Sequence, residues 1–179
     1  MRTFFIIGFV FLISSTPTWA QVGSRFPMLI GQLVGGKTIH LPESVQGKYT
    51  ILGLSWSKKA EESFESWINP SWSKFVAKTG MLDEMYDVNL YFIPMFVGTK
   101  KAAMGKIMDK MKAKSDPDFF PYVLFYKGDL GPYENKLKLK DPSKPYIFLL
   151  DKNGEIVYIT SGKYTENKML EIEKILLEN

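Results

Sequence analysis

The sequence predicts an α/β fold in which helices cover both faces of a central mixed β-sheet. Two long apolar runs, at 49–56 and 88–97, are rich in β-branched and aromatic residues and are typical of buried central strands. The Asn153-Gly154 pair between two further apolar runs predicts a β-hairpin near the C-terminus. Parallel strands linked by helices, followed by an antiparallel hairpin and a helix, favour a three-layer α/β/α sandwich.

The first predicted elements are a hairpin, a strand and a helix. Gly35-Gly36 is typical of a turn, and the apolar residues Ile39 and Leu41 alternate after it, so a short β-hairpin is expected here. Ser57 is a suitable N-cap for the helix that follows the strand at 49–56. Because proline lacks an N–H donor, Pro70 is expected to kink or interrupt this helix near Asn69. The apolar stripe of the helix consists of Ala60, Phe64, Trp67 and Ile68.

The middle of the chain continues the alternation of strands and helices. The strand at 88–97 is followed by a predicted helix at 99–114, which Asp116-Pro117 ends. A further strand is expected at 121–126. The stretch 128–142 is polar and rich in turn-forming residues, so it is predicted to be a connection without regular structure.

The C-terminal part is predicted to form the hairpin and the last helix. Its strands are expected at 146–150 and 155–160, on either side of Asn153-Gly154. Thr165 then caps a helix whose apolar residues include Met169, Ile172 and Leu176.

Residues 1–20 have the pattern of a secretory signal peptide. Arg2 precedes an apolar run at 4–13, and Thr18-Trp19-Ala20 ends in a small residue. A membrane anchor is the alternative, but the run is shorter than the roughly 20 apolar residues that span a bilayer. We therefore expect one domain at 21–179 that is exported to the periplasm or the extracellular space, with no transmembrane segment after cleavage.

Composition excludes several classes of function. The chain has 179 residues, no cysteine, one histidine and a formal net charge of +4, which becomes +3 without Arg2. Thiol exchange and thiol peroxidase chemistry need a cysteine, so neither is possible. A single histidine without cysteine excludes ordinary zinc clusters. No cofactor motif and no basic stripe typical of nucleic-acid binding is found.

Two segments resemble the thioredoxin-like superfamily, with the layout of its secreted thiol-disulfide oxidoreductases and peroxiredoxins. One segment runs from Gly36-Lys37 to Gly47-Lys48, and the other is 144–151 together with Asn153-Gly154. The resemblance covers roughly residues 25–178 and implies that Pro145 is a cis-proline beside the active-site loop. It places Lys59-Ala60-Glu61-Glu62 where the family has its Cys-x-x-Cys. Since neither nearby serine has an evident base, the family's redox role is not transferred to this chain.

A second resemblance is to a family of mitochondrial ATP synthase assembly factors. It rests on Ser66-Trp67-Ile68-Asn69-Pro70, on Tyr126-Lys127-Gly128-Asp129 and on Phe148-Leu149-Leu150-Asp151. That family is also thioredoxin-like, and the resemblance implies a chaperone role toward an apolar membrane subunit. The signal peptide, however, indicates export and not mitochondrial import.

The resemblance implies a groove that could bind an extended polypeptide without enzymatic activity. Relatives hold such a chain by backbone hydrogen bonds near the proline, and aromatic side chains beside it would add contact area. The alternative is that the aromatic residues, including Trp56 and the Phe119-Phe120 pair, belong to the core. The candidate residues of the degenerate groove are Trp56, Ser57, Lys58, Lys59, Pro145 and Tyr146.

A Cu(I)-binding protein is the competing hypothesis. Met104, Met108 and Met111 share one helical face, and thioethers can bind Cu(I) together with His40. Packing is the favoured interpretation of this stripe, because methionine fills irregular cores. We expect His40 to be a half-exposed strand residue. Exposed methionines near the stripe, at Met81, Met85 or Met95, would favour copper. A third possibility is a purely structural subunit.

Charged residues cluster on two predicted helices. The second helix is strongly basic, which suits an acidic partner, an anionic membrane or simply a solvated surface. Glu61, Glu62 and Glu65 on the first helix are best explained as surface ion pairs, because adjacent helical positions face different directions. The lysines of the second helix are Lys100, Lys101, Lys106, Lys110, Lys112 and Lys114, opposed by Asp109.

Overall fold

The computed structural model describes residues 21–178, so the predicted signal peptide lies outside the described residues. It contains seven strands, four α-helices and short 3-10 turns. The strands are β1 (Leu29–Leu33), β2 (Thr38–Leu41), β3 (Tyr49–Ser55), β4 (Val88–Val97), β5 (Leu124–Gly128), β6 (Tyr146–Leu150) and β7 (Ile156–Ser161). The helices are α1 (Glu61–Phe75), α2 (Met104–Lys114), α3 (Gly131–Leu137) and α4 (Glu166–Glu178).

The seven strands form one mixed sheet in the order β2-β1-β5-β4-β3-β6-β7. The central strands β3, β4 and β5 are parallel, whereas the other neighbours pair antiparallel. Helical crossovers join β3 to β4 and β4 to β5, as the sequence predicts. The α/β fold class is therefore confirmed.

Helices cover both faces of the sheet, and alternation along the central strands shows which face each helix covers. Ile51 of β3 packs with Trp67 of α1 and Ile172 of α4, whereas its neighbour Leu52 belongs to the cluster on the opposite face. That opposite cluster contains Phe26 of the N-terminal segment, together with Tyr133 and Leu137 of α3. The helix α2 packs over β4 and β5 through Met108, Phe96 and Phe125.

Helix α1 runs from the end of β3 and is held closely against the sheet. Ser57 Oγ accepts the backbone N–H of Lys59 and caps the 3-10 turn Lys58–Ala60, which leads directly into α1. Gly53 allows the close approach, because a Cβ at this position would lie 3.0 Å from Phe64 Cε2. Trp67 Nε1 donates to Gly162 O at 2.9 Å and fixes the rotation of the helix.

Of the two outcomes expected at Pro70, a kink or an interruption of the first helix, the interruption is wrong. The structure has one continuous helix, Glu61–Phe75, with Pro70 inside it. Tertiary packing on both sides of the proline explains the difference. Before it, Trp67 is buried against the sheet; after it, Phe75 packs edge-on against Tyr86, and Trp72 contacts Phe119 and Tyr122. These contacts outweigh the one helical hydrogen bond that proline cannot donate.

The segment 117–142 differs from the prediction in two places. The 3-10 turn Pro117–Tyr122 precedes β5, so this strand begins at Leu124 and not at 121. Its Phe119 stacks on Phe92 with ring centroids 5.9 Å apart, which holds the segment on the face of the sheet that α1 covers. The predicted irregular connection contains α3, whose Tyr133 and Leu137 are both buried.

Candidate functional site

The candidate site lies at the edge of the sheet where the parallel strands end. We call this the carboxyl edge and define it by five segments. Residues 55–62 begin at the last residue of β3, residues 97–101 begin at the last residue of β4, and Asp129 follows β5. Because β6 is antiparallel to β3 and β7 is antiparallel to β6, residues 138–146 and 161–163 lie at the same edge.

The structure brings Trp56, which follows β3, together with Tyr146, the first residue of β6. Leu54 and Tyr146 are register partners in the sheet, and the rings of Trp56 and Tyr146 stack with centroids 5.7 Å apart and planes inclined by 25°. The two chain segments that the thioredoxin-like resemblance places side by side are therefore neighbours. This contact forms the floor of the carboxyl edge.

Both aromatic residues also contribute to the core. Each side chain is only 8% exposed, so their rings pack mainly against the protein. The hydroxyl of Tyr146 accepts the backbone N–H groups of Lys140 and Asp141, at 3.1 and 3.0 Å. Tyr146 thus fixes the loop before β6, and a bound chain would contact mainly the residues around the two rings.

The expected cis peptide bond before Pro145 is wrong. The bond between Lys144 and Pro145 is trans, and the cis bond recorded among residues 21–178 is Leu41-Pro42. A turn precedes this bond, in which the backbone N–H of Lys144 donates to Asp141 O at 3.3 Å. Pro145 then enters β6 directly, and its carbonyl accepts the N–H of Gly162 at 2.9 Å.

The turn before β6 is stabilised by the carboxylate of Asp141. It accepts hydrogen bonds from the hydroxyl and the backbone N–H of Ser143, and Lys144 Nζ lies 3.2 Å from its second oxygen. These hydrogen bonds, first from Ser143 and then from Lys144, lower the pKa of Asp141 to about 2. Asp141 is therefore a structural anion that fixes the loop.

The stretch that the resemblance aligns with the Cys-x-x-Cys is Lys59-Ala60-Glu61-Glu62, and Lys58 precedes it. Lys58 and Lys59 are exposed at the start of α1, whereas the neighbouring Ala60 is buried. Ser57 Oγ is engaged by the backbone N–H of Lys59, so its role here is helix capping. Lys100 Nζ reaches across from the segment after β4 and donates to Trp56 O at 2.9 Å. The arrangement suits binding by charge and backbone contacts.

The residues of the copper hypothesis lie in separate parts of the structure. His40 is exposed on the edge strand β2 and pairs with Ile30. Met108 is buried against Phe96 and Phe125, with Met104 and Met111 packed beside it, as the packing interpretation predicts. Met95 is buried in the other cluster, whereas Met81 and Met85 are exposed in the loop before β4. Among residues 21–178 there is no cluster of three or more His, Asp or Glu side chains suited to a metal ion.

A partly buried ionic network, which the sequence does not predict, lies at the opposite end of the sheet, the amino edge. Lys74 Nζ of α1 is 3.7 Å from Asp83 and 3.0 Å from Glu173 of α4. Tyr86 Oη donates to Glu173 at 3.0 Å, and the backbone N–H of Gly80 donates to Asp83 at 2.7 Å. Burial, reinforced by the hydrogen bond to Glu173, raises the pKa of Tyr86 to about 12. The network ties α1, the loop before β4 and α4 together.

Comparison with known protein families assigns the chain to one of them. Residues 12–176 match the family model of the ATP10 proteins, which are ATP synthase assembly factors. The chain belongs to the ATP10 protein family. Membership of the ATP10 family confirms the second resemblance seen in the sequence. None of the curated proteins compared with the chain matches it significantly.

Solved structures confirm the thioredoxin-like fold. The C-terminal domain of a protein from Bacteroides thetaiotaomicron, assigned as a thiol-disulfide oxidoreductase, is similar with a TM-score of 0.57 and 15% identity, over 90% of this chain and 100% of that domain. The exposed lipoprotein thioredoxin Etrx1 of Streptococcus pneumoniae has a TM-score of 0.57 and 16% identity, over 84% of this chain and all of that one. A 2-Cys peroxiredoxin of Plasmodium vivax has a TM-score of 0.52 and 12% identity, over 87% and 80%. At these identities the similarity concerns the fold alone.

The described part of the chain was also searched for membrane-spanning helices. Between residues 21 and 178, no helix combines the length and the apolar character needed to cross a bilayer.

Proposed function

We propose that this protein is an exported, redox-inactive member of the ATP10 family that binds a polypeptide partner without enzymatic activity, as an assembly chaperone does. One observation carries the proposal: a thioredoxin-like scaffold in an assembly-factor family lacks cysteine, and the stretch that the resemblance aligns with the Cys-x-x-Cys reads Lys59-Ala60-Glu61-Glu62. The chain has no cysteine, so the scaffold can contribute recognition but not thiol chemistry.

The carboxyl edge is the proposed binding site because the backbone of two of its segments lies at the surface. Ser57 is extended, with φ −131° and ψ 142°, and Lys58 after it is exposed. On the other side, the exposed Lys144 leads into the buried Pro145 at the start of β6. An extended chain laid between these segments would contact backbone groups on both sides, as in β-strand addition.

Rigid elements hold this site in place. The Trp56–Tyr146 stack, the cap of Ser57 and the turn at Asp141 all connect the edge to the core or to a helix. A preformed site reduces the loss of conformational entropy that binding imposes on the protein. Export is supported by the signal-like pattern of residues 1–20, and we include it in the proposal.

Site-specific photocrosslinking tests the proposed function. Benzoylphenylalanine replaces Lys58 at the carboxyl edge, and a matched variant carries it at Met81, which is 98% exposed in the loop before β4. Irradiation in the native cells is expected to give a discrete adduct with one protein from position 58 and not from position 81. The same preparation is expected to leave insulin disulfides unreduced.

Other results of these experiments would contradict the proposal. Absence of a discrete adduct at position 58, or the same adduct at both positions, would exclude the carboxyl edge as the binding site. Turnover of insulin disulfides by the purified protein would exclude the redox-inactive role.

A further inference from the structure

The carboxyl edge carries a surplus of positive charge. Its five segments contain eight lysines and four carboxylates, a difference equal to the net charge of +4 of the entire chain. The lysines are Lys58, Lys59, Lys100, Lys101, Lys138, Lys140, Lys144 and Lys163, and the carboxylates are Glu61, Glu62, Asp129 and Asp141. The remaining charges of the chain therefore balance.

Most of the lysines at this edge have no carboxylate partner. Three ion pairs form: Lys101 with Asp129 at 2.6 Å, Lys144 with Asp141 at 3.2 Å, and Lys163 with Glu62 at 3.7 Å. Lys100 donates to a backbone carbonyl, which leaves its charge uncompensated. Within the five segments of the carboxyl edge, the exposed lysines without an ion-pair partner are Lys58, Lys59, Lys138 and Lys140.

The amino edge differs, because three of its lysines have carboxylate partners and a fourth, Lys152, lies over the ring of Tyr49 at 5.6 Å. Lys48 Nζ lies 2.6 Å from Asp87, and Lys78 Nζ lies 3.5 Å from Glu84. Lys74 is shared between two carboxylates. The end that holds the Trp56–Tyr146 contact thus carries a group of exposed lysines without ion pairs, and the second such group lies on α2.

We propose that the partner presents an acidic, extended segment, which lies across Ser57 and Tyr146 with its carboxylates against these lysines. The inference rests on the proposed function and specifies its partner. Exposed charges of opposite sign attract the partner before contact and fix its register, and salt weakens this attraction. A lipid surface fits less well, since none of the exposed large apolar side chains of residues 21–178 falls within the five segments.

The test measures fluorescence anisotropy of a labelled peptide that alternates glutamate with alanine. The uncharged control peptide has glutamine in place of every glutamate. A labelled oligothymidylate serves as a nucleic-acid probe. The purified protein is compared with K58E/K59E and with K110E/K114E, which makes the same charge change at two exposed lysines of α2. Glutamate near the start of α1 favours the helix dipole, so K58E/K59E is expected to fold normally, which circular dichroism checks.

The glutamate peptide is expected to bind at low salt, and K58E/K59E is expected to weaken it about tenfold, compared with less than about twofold for K110E/K114E. The inference is overturned if the glutamate peptide does not bind, if the glutamine peptide binds equally well, or if both variants weaken binding alike. Tighter binding of oligothymidylate would indicate a nucleic-acid site instead. In each of these cases the crosslinked partner at position 58 would still stand, so the two proposals fail separately.

Discussion

The two edges of the sheet use the same residue types in opposite ways. At the amino edge, Lys74 is enclosed by Asp83, Glu173 and Tyr86, and every charge of the cluster has a partner. At the carboxyl edge, Lys58 and Lys59 extend into solvent without ion pairs. The comparison indicates that one edge uses charge to hold helices together, whereas the other leaves charge available for a partner.

The exposed apolar residues have the opposite distribution to the unpaired lysines. The loop before β4 exposes Met81, Leu82 and Met85, while Asp83 of the same loop is buried in the network. At the carboxyl edge, Trp56 and Tyr146 are covered. An apolar partner would therefore find contacts at the amino edge and an acidic partner at the carboxyl edge, so each experiment has to compare both.

The largest expected effect is on stability at the amino edge. Lys74→Met leaves the buried Asp83 and the partly buried Glu173 without their cation and should lower the free energy of unfolding by about 1.5 kcal/mol, since solvent screens the partly exposed Lys74. Lys58→Met at the carboxyl edge removes an exposed, unpaired charge and should change it by less than about 0.5 kcal/mol. Urea unfolding measures the free energy of unfolding of both variants. Equal losses of stability would show that the charges of the two edges contribute alike to the fold.

A smaller effect is expected at alkaline pH. The pKa of Tyr86 is about 12 in the folded protein, above the ordinary value of 10 that an unfolded tyrosine has. A raised folded pKa contributes stability that is complete below pH 10 and is lost as the pH rises toward 12. Tyr86→Phe should therefore lose less stability over this interval than the wild type, by about 1 kcal/mol. Unfolding in urea at pH 9, 10 and 11 gives the change of the free energy of unfolding with pH for each protein. The same change in the wild type and in Tyr86→Phe would contradict a raised pKa of Tyr86.

The strands of the core could be predicted because their apolar runs are continuous. β3, β4, β6 and β7 lie within one or two residues of the expected limits. Burial on both faces gives β3 and β6 a clear signal, and the Asn153-Gly154 turn fixes where the edge strand β7 begins. Pro70 misled the prediction because a local rule was applied where Trp67 and Phe75 decide the structure. The helix α3 was missed, although the spacing of Tyr133 and Leu137 already indicates one helical face.

The candidate site could be predicted only in part. The resemblance correctly predicts the proximity of Trp56 and Tyr146, but its cis-proline at Pro145 is wrong, because a feature transferred from relatives has no support in this chain's own residues. The ionic network joins residues 74, 83 and 173, which are distant in sequence, so no local pattern indicates it. The concentration of positive charge at one edge became visible only when the sheet brought five separate segments together.

Hydrogen–deuterium exchange of the protein bound to its crosslinking partner tests the central claim most directly. The comparison of bound and free protein is expected to show slower exchange at 55–62 and 138–146, and no change at 78–88. Slower exchange confined to 78–88, with the carboxyl edge unchanged, would contradict the account and move the binding site to the other end of the sheet.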